Sequence, residues 1–143
     1  MDLINLSILI FIILESSNVI ILYFFPDSKL GNGVAVFNNY HLIKKDEDNY
    51  LFAKYLINWV AGTKLIFITL LAVILFLGSE ILKVWALVVL IFSIVTYFFR
   101  LHVIISKLDK KNMITPKNYS KALLAMIISF IIMFTIPLIL YLI

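Results

Sequence analysis

Cysteine is absent from this chain of 143 residues, and histidine occurs only twice. The first absence excludes disulfides, thiol catalysis and thiolate metal sites. The two histidines, His41 and His102, are far apart in the sequence and cannot form a zinc or haem site on their own. Glycine-rich phosphate loops and the HExxH pattern of zinc hydrolases are also missing. We therefore expect neither a metal nor a cofactor.

Charged residues are scarce as well. They make up 14% of the chain, while apolar residues make up 64%, whereas soluble domains are about half apolar and about a quarter charged. A soluble fold of this length could not bury so much apolar surface, and a lipid bilayer removes that problem. The formal net charge of +4 comes from lysines that lie mostly between apolar runs, which is typical of a membrane topology signal and not of nucleic-acid binding.

Four segments are long and apolar enough to span a membrane as helices, since a bilayer core of about 30 Å is crossed by about 20 helical residues. They cover residues 3–25, 55–77, 81–105 and 122–143, with loops at 26–54 and 106–121. These runs do not alternate as the strands of a β-barrel would. The sequence therefore predicts an all-α, polytopic membrane protein with a single four-helix domain.

The positions of the lysines predict an orientation. Most of them lie in the loops 26–54 and 106–121, while the N-terminus, the short second connection and the C-terminus carry few. The positive-inside rule then puts both basic loops in the cytoplasm and both chain termini outside. We expect a multi-pass protein of the cell membrane that is embedded in the lipid bilayer.

The first loop leaves two alternatives open at each of two places. Residues 30–37 are apolar with two glycines, which fits either a re-entrant segment or a turn followed by a short interfacial segment. The charged run at residues 44–48 fits either a solvated turn or the start of an amphipathic helix that continues into the second span.

The first span carries a carboxylate far from either end. Glu15 lies ten residues before Phe25, which places it about 15 Å from that end and near the middle of the bilayer. An ionisable group at that depth is costly unless it faces protein or water, so a functional site is the default hypothesis. The alternative is that Glu15 only joins helices through hydrogen bonds. Asn18 is three residues further on and shares its face.

Two cations compete as partners for Glu15. Lys64 in the second span lies at a similar depth, but helical side chains lean toward their own N-terminus, so Glu15 and Lys64 would lean apart. Arg100 in the third span shares a face with Ser93 and Thr96 and would lean toward the level of Glu15. This argument weakens Lys64 and favours Arg100.

These features predict a polar site within the spans, and its expected residues are Glu15, Asn18, Asn58, Lys64, Thr96 and Arg100. Four helices enclose little volume alone, so we expect a homo-oligomer or other membrane subunits to complete the site. Transport of an ion or small polar solute, with Glu15 binding a cation or exchanging a proton, ranks equally with a role as an accessory subunit. A lipid-acting enzyme ranks below both. Small multidrug transporters similarly carry a glutamate in the first of their helices, but its surroundings differ here, so the likeness is an analogy.

Overall fold

The computed structural model describes residues 2–29 and 33–143, and these are almost entirely helical. Within them lie six α-helices, which are α1 Leu3–Phe24, α2 Tyr40–Ile43, α3 Glu47–Leu77, α4 Glu80–Val95, α5 Leu101–Lys110 and α6 Tyr119–Leu142. Two short 3-10 helices cover Val34–Val36 and Thr96–Phe98. Four helical segments, with α4 and α5 taken as one, are long and apolar enough to cross a membrane. The prediction of an all-helical chain with four such segments is confirmed.

The second long helix begins at Glu47 and not near Tyr55 as predicted. The Asp46 side chain accepts a hydrogen bond of 2.9 Å from the backbone N–H of Asn49, which caps the helix. Glu47 and Asp48 then lie in the first turn, where their carboxylates interact favourably with the positive end of the helix dipole. The charged run is thus divided: Lys44 and Lys45 lie in a turn, whereas Glu47 and Asp48 begin α3, so each alternative describes part of it.

The third predicted span, residues 81–105, is interrupted. Helix α4 ends at Val95, a 3-10 turn follows, and α5 begins at Leu101 and continues to Lys110. At the interruption the Thr96 hydroxyl donates a hydrogen bond of 2.6 Å to the Ser93 carbonyl, a local bond that bends helices. Ser93, Thr96 and Arg100 therefore do not continue along one helical face.

One end of the bundle, the hairpin end, holds the start of α1, the α3–α4 turn and the end of α6. Gly78 ends α3, where an added Cβ would collide with the Ile74 carbonyl oxygen, so only glycine fits without a shift of the backbone. All four long helical segments contribute to one buried cluster here, formed by Ile4, Ile8, Phe11, Leu71, Leu75, Leu87, Leu90, Phe130 and Phe134. The packing of this cluster holds the four helical segments together at the hairpin end.

The opposite end, the basic end, holds the first loop and the connection between α5 and α6. Phe37 forms an isolated antiparallel bridge with Ile114, and Val36 is buried against Ile105 and Ile114. The first loop is therefore fastened to the α5–α6 connection. Residues 30–32 of the predicted re-entrant or interfacial segment lie outside the described residues, and the choice between those alternatives stays a prediction.

Candidate functional site

Three polar side chains of the predicted site meet between α1 and α3. The Lys64 ammonium donates hydrogen bonds of 2.6 Å to Glu15 Oε2 and 2.8 Å to Asn18 Oδ1. Glu15 and Asn18 lie on one face of α1, as their spacing predicted. We call this group the Glu15–Asn18–Lys64 cluster.

Small residues on α3 bring the two helices close enough for these contacts. Ala61 is fully buried against α1, and an added Cβ on Gly62 would lie 3.3 Å from the Tyr23 hydroxyl oxygen. Small residues allow such close helix packing without strain.

The side-chain directions explain why Lys64 reaches two partners. Lys64 leans toward the N-terminus of α3, which lies at the basic end. Asn18 is about one turn nearer that end than Glu15, so the long lysine stem passes along α1 and meets both oxygens. The direction argument underestimated the reach of this stem.

The expected preference of Glu15 for Arg100 is corrected by this geometry. Arg100 lies at the N-terminal cap of α5, after the helix interruption, and is exposed. Its contacts among the described residues do not include Glu15. The interruption turns Arg100 away from the face that the regular spacing predicted.

The cluster is substantially removed from solvent. The Glu15 side chain is 16% exposed and that of Lys64 is 27% exposed, while Asn18 is buried. Charges that are withdrawn from water stabilise one another only when their geometry is good, and removal of one partner leaves the other uncompensated. The two short hydrogen bonds to one ammonium meet that requirement.

A cavity of about 470 Å³ adjoins the cluster, and side chains from α1, α3, α4, α5 and α6 line it. Phe11 and Phe130 lie toward its deep side, and their rings pack edge to face at 5.2 Å between centroids. Val34 and Phe37 of the first loop line it toward the basic end. Apart from the cluster, the residues with polar side chains in its described lining are two tyrosines, and the other described lining side chains are apolar. A mostly apolar cavity of this size with a few convergent polar groups is typical of small-molecule sites.

The remaining predicted residues lie elsewhere. Asn58 is exposed on α3, and Thr96 is exposed with its hydroxyl bonded to Ser93. Asn58, Thr96 and Arg100 are absent from the described lining of the cavity. The structure thus brings three of the six predicted residues together and leaves these three apart.

Sequence reasoning missed Tyr97 and Tyr119, which also line the cavity. Tyr97 is buried, and its hydroxyl oxygen lies 3.3 Å from His102 Nδ1. A tyrosine inside an apolar segment needs a hydrogen-bond partner for its hydroxyl. That requirement was the sequence feature from which a polar contact at Tyr97 could have been predicted. His102 is that hydrogen-bond partner.

Among residues 2–29 and 33–143, histidine and carboxylate side chains form no group of three that could hold a metal ion. No protein-family model, no curated protein and no solved structure matches the chain.

Proposed function

We propose that the protein transports a small amphipathic cation, which the central cavity binds through Glu15 and Asn18. The observation that carries this proposal is the convergence of two oxygen acceptors, 2.6 and 2.8 Å from the Lys64 nitrogen, at the wall of an apolar cavity. The chain's own ammonium marks a position that suits an ammonium group. An external amine would displace Lys64 and take over its two acceptors.

The walls of the cavity support the choice of solute. Apolar side chains surround the cluster, so an apolar body attached to the ammonium group would gain contacts that a simple metal cation would not. This narrows the expected ion or small polar solute to an amine with an apolar body. Phe11 and Phe130 close the deep side, so transport requires these rings to separate.

The setting of the site belongs to the same proposal. Lysine-rich segments at the basic end favour a cytoplasmic position for that end, with both chain termini outside and the protein in the cell membrane. Because one chain already forms a cavity of about 470 Å³, the proposal does not depend on a second copy. The expected homo-oligomer stays a prediction that native mass spectrometry tests.

Uptake into proteoliposomes tests transport. The probe is radiolabelled phenethylamine, driven by a potassium diffusion potential, because this potential acts on the charged amine and not on its freely permeable neutral form. Wild type should exceed protein-free liposomes, and Glu15→Gln should fall to their level. Glu80→Gln is the matched control, since Glu80 pairs with Lys83 at the hairpin end, 3.0 Å away. Equal uptake by wild type and Glu15→Gln, with both folded by circular dichroism, would overturn the proposal.

A binding measurement covers the case in which Glu15→Gln folds poorly. In Lys64→Met, the two acceptors lose their internal ammonium, so added phenethylamine should raise the melting temperature of this variant more than that of wild type. Phenethyltrimethylammonium lacks N–H donors and should not do so. Lys83→Met, which frees Glu80 away from the cavity, is the control. The same rise in both lysine variants would refute a specific amine site.

The accessory-subunit alternative gives the cluster a structural role only. It predicts that wild type shows no phenethylamine uptake, that the protein co-purifies with another membrane protein, and that Glu15→Gln loses this association. Uptake and co-purification, measured on the same preparations, separate the two functions.

A further inference from the structure

A second concave surface lies at the basic end, apart from the central cavity. It has a volume of about 800 Å³ and is formed by α5, the α5–α6 connection and the first turns of α6. Four lysines line it together with one carboxylate, Asp109, and the set is Lys107, Lys110, Lys117 and Lys121. We call it the lysine groove.

The carboxylate in the groove is already engaged. Asp109 accepts hydrogen bonds from the Ser120 hydroxyl at 2.6 Å, the Ser120 backbone N–H at 3.0 Å and the Asn118 backbone N–H at 3.2 Å. These bonds satisfy donors at the start of α6, which a helix end leaves without internal partners. They also hold the two walls of the groove together, since Asp109 is on α5 and Ser120 is on α6.

The lysines of the groove outnumber its carboxylate: Asp109 interacts electrostatically with Lys121, but four lysines face this single carboxylate. The ion pairs within the described part of the chain join Lys44 to Asp27, Lys64 to Glu15 and Lys83 to Glu80. None of these pairs, in the ranges 2–29 and 33–143, uses a lysine of the groove. Four exposed ammonium groups that share one concavity attract an anion.

Apolar residues adjoin the groove and indicate what carries that anion. Val103 and Leu124 belong to its lining, and Val103 is 45% exposed on α5. The groove also lies where the long apolar helices end, which is the level of lipid headgroups if these helices span a bilayer. Basic pockets between spanning helices bind anionic headgroups in this way.

We propose that the lysine groove binds the phosphate headgroup of an anionic phospholipid, with its acyl chains along α5 and α6. A soluble anion would contact the lysines but not the adjoining apolar surface, whereas a lipid would contact both. If these lysines served only to set the orientation of the protein in the membrane, they would not need to share a concave surface. Variants that lose equal charge inside and outside the groove distinguish lipid binding from that role.

The variants compare two losses of equal charge. Lys107→Gln/Lys121→Gln removes one lysine from each wall of the groove. Lys45→Gln/Lys54→Gln removes two exposed lysines of the same end outside the groove. All four side chains are exposed, so both doubles should fold, which circular dichroism and melting temperature check.

Native mass spectrometry of the detergent-solubilised protein measures binding of dioctanoyl phosphatidylglycerol, dioctanoyl phosphatidylcholine and inorganic phosphate. Wild type should prefer phosphatidylglycerol, and the groove double should lose roughly tenfold in its affinity, since each lysine near an anionic headgroup contributes substantially. The control double should stay within about twofold of wild type. Equal losses in the two doubles, equal binding of phosphatidylcholine, or full competition by inorganic phosphate would each overturn the proposal, the last by indicating a soluble anion.

Discussion

At the hairpin end, nine buried apolar side chains from all four long helical segments form one cluster. At the basic end, the same bundle has a cavity of about 470 Å³ bordered by an ion pair. Phe11 stands at the boundary, because it belongs to the cluster and also lines the cavity. The comparison indicates that the hairpin end is packed throughout, while toward the basic end smaller buried clusters leave space for a cavity beside a polar site.

Truncation of one side chain in each half should give the largest difference. Phe134→Ala empties a fully buried position and should cost about 4 kcal/mol of the free energy of unfolding, because the surroundings relax only partly around the new void. Ile127 lies on the same helix but borders the existing cavity, so Ile127→Ala should cost about 1 kcal/mol, less than burial in a packed core would imply.

Unfolding in mixed micelles of increasing sodium dodecyl sulfate content measures both variants against wild type. Similar losses for Phe134→Ala and Ile127→Ala would show that the two halves are packed alike. The distinction between a stabilising half and a cavity half would then fail.

The ion pair supplies the second prediction. Lys64→Met leaves the Glu15 carboxylate uncompensated and should cost about 3 kcal/mol, at the lower end for a buried pair because both side chains keep some exposure. Glu15→Gln should cost only about 1 kcal/mol, since its amide oxygen can still accept from Lys64. The double variant Glu15→Gln/Lys64→Met should lie within about 1 kcal/mol of wild type, because neither charge remains buried alone.

This double-mutant cycle uses the same denaturation measurement. A double variant as unstable as the sum of its single variants would mean that Glu15 and Lys64 do not interact. The basic end would then hold two independent charges, and the ammonium position on which the proposed amine site rests would be lost.

Individual residues show which parts of the site could be predicted from the sequence. The depth count correctly brought Lys64 level with Glu15, because both lie on regular helices whose rise per residue is fixed. Arg100 was misplaced because the chain between Val95 and Leu101 leaves the α-helix, and no proline or glycine in that stretch announces it. The cavity itself depends on which side chains from distant segments fail to fill the space between them, and residue patterns within one segment do not contain that information.

The smallest expected effect concerns the loop that covers the basic end. Tyr40 is buried against Leu22, Ile57 and Ala61, and burial, followed by the nearby Asp27 carboxylate, raises its pKa from 10.0 to about 12. The folded chain therefore keeps this phenol protonated where the unfolded chain loses its proton. The stabilisation is fully present below about pH 10 and is lost as the pH rises from about 10 through about 12.

The difference in tyrosinate absorbance between wild type and Tyr40→Phe isolates this titration. Its midpoint should lie near pH 12 in the folded protein and return to about pH 10 in denaturant. Asp27→Asn should lower the folded midpoint in part, because it removes the neighbouring negative charge and leaves the burial unchanged. A folded midpoint near pH 10 would show that water reaches Tyr40, and hence that the first loop does not close over α1 and α3. In that case the basic end would be open to water in addition to holding a cavity, and it would differ from the packed hairpin end more than the static structure indicates.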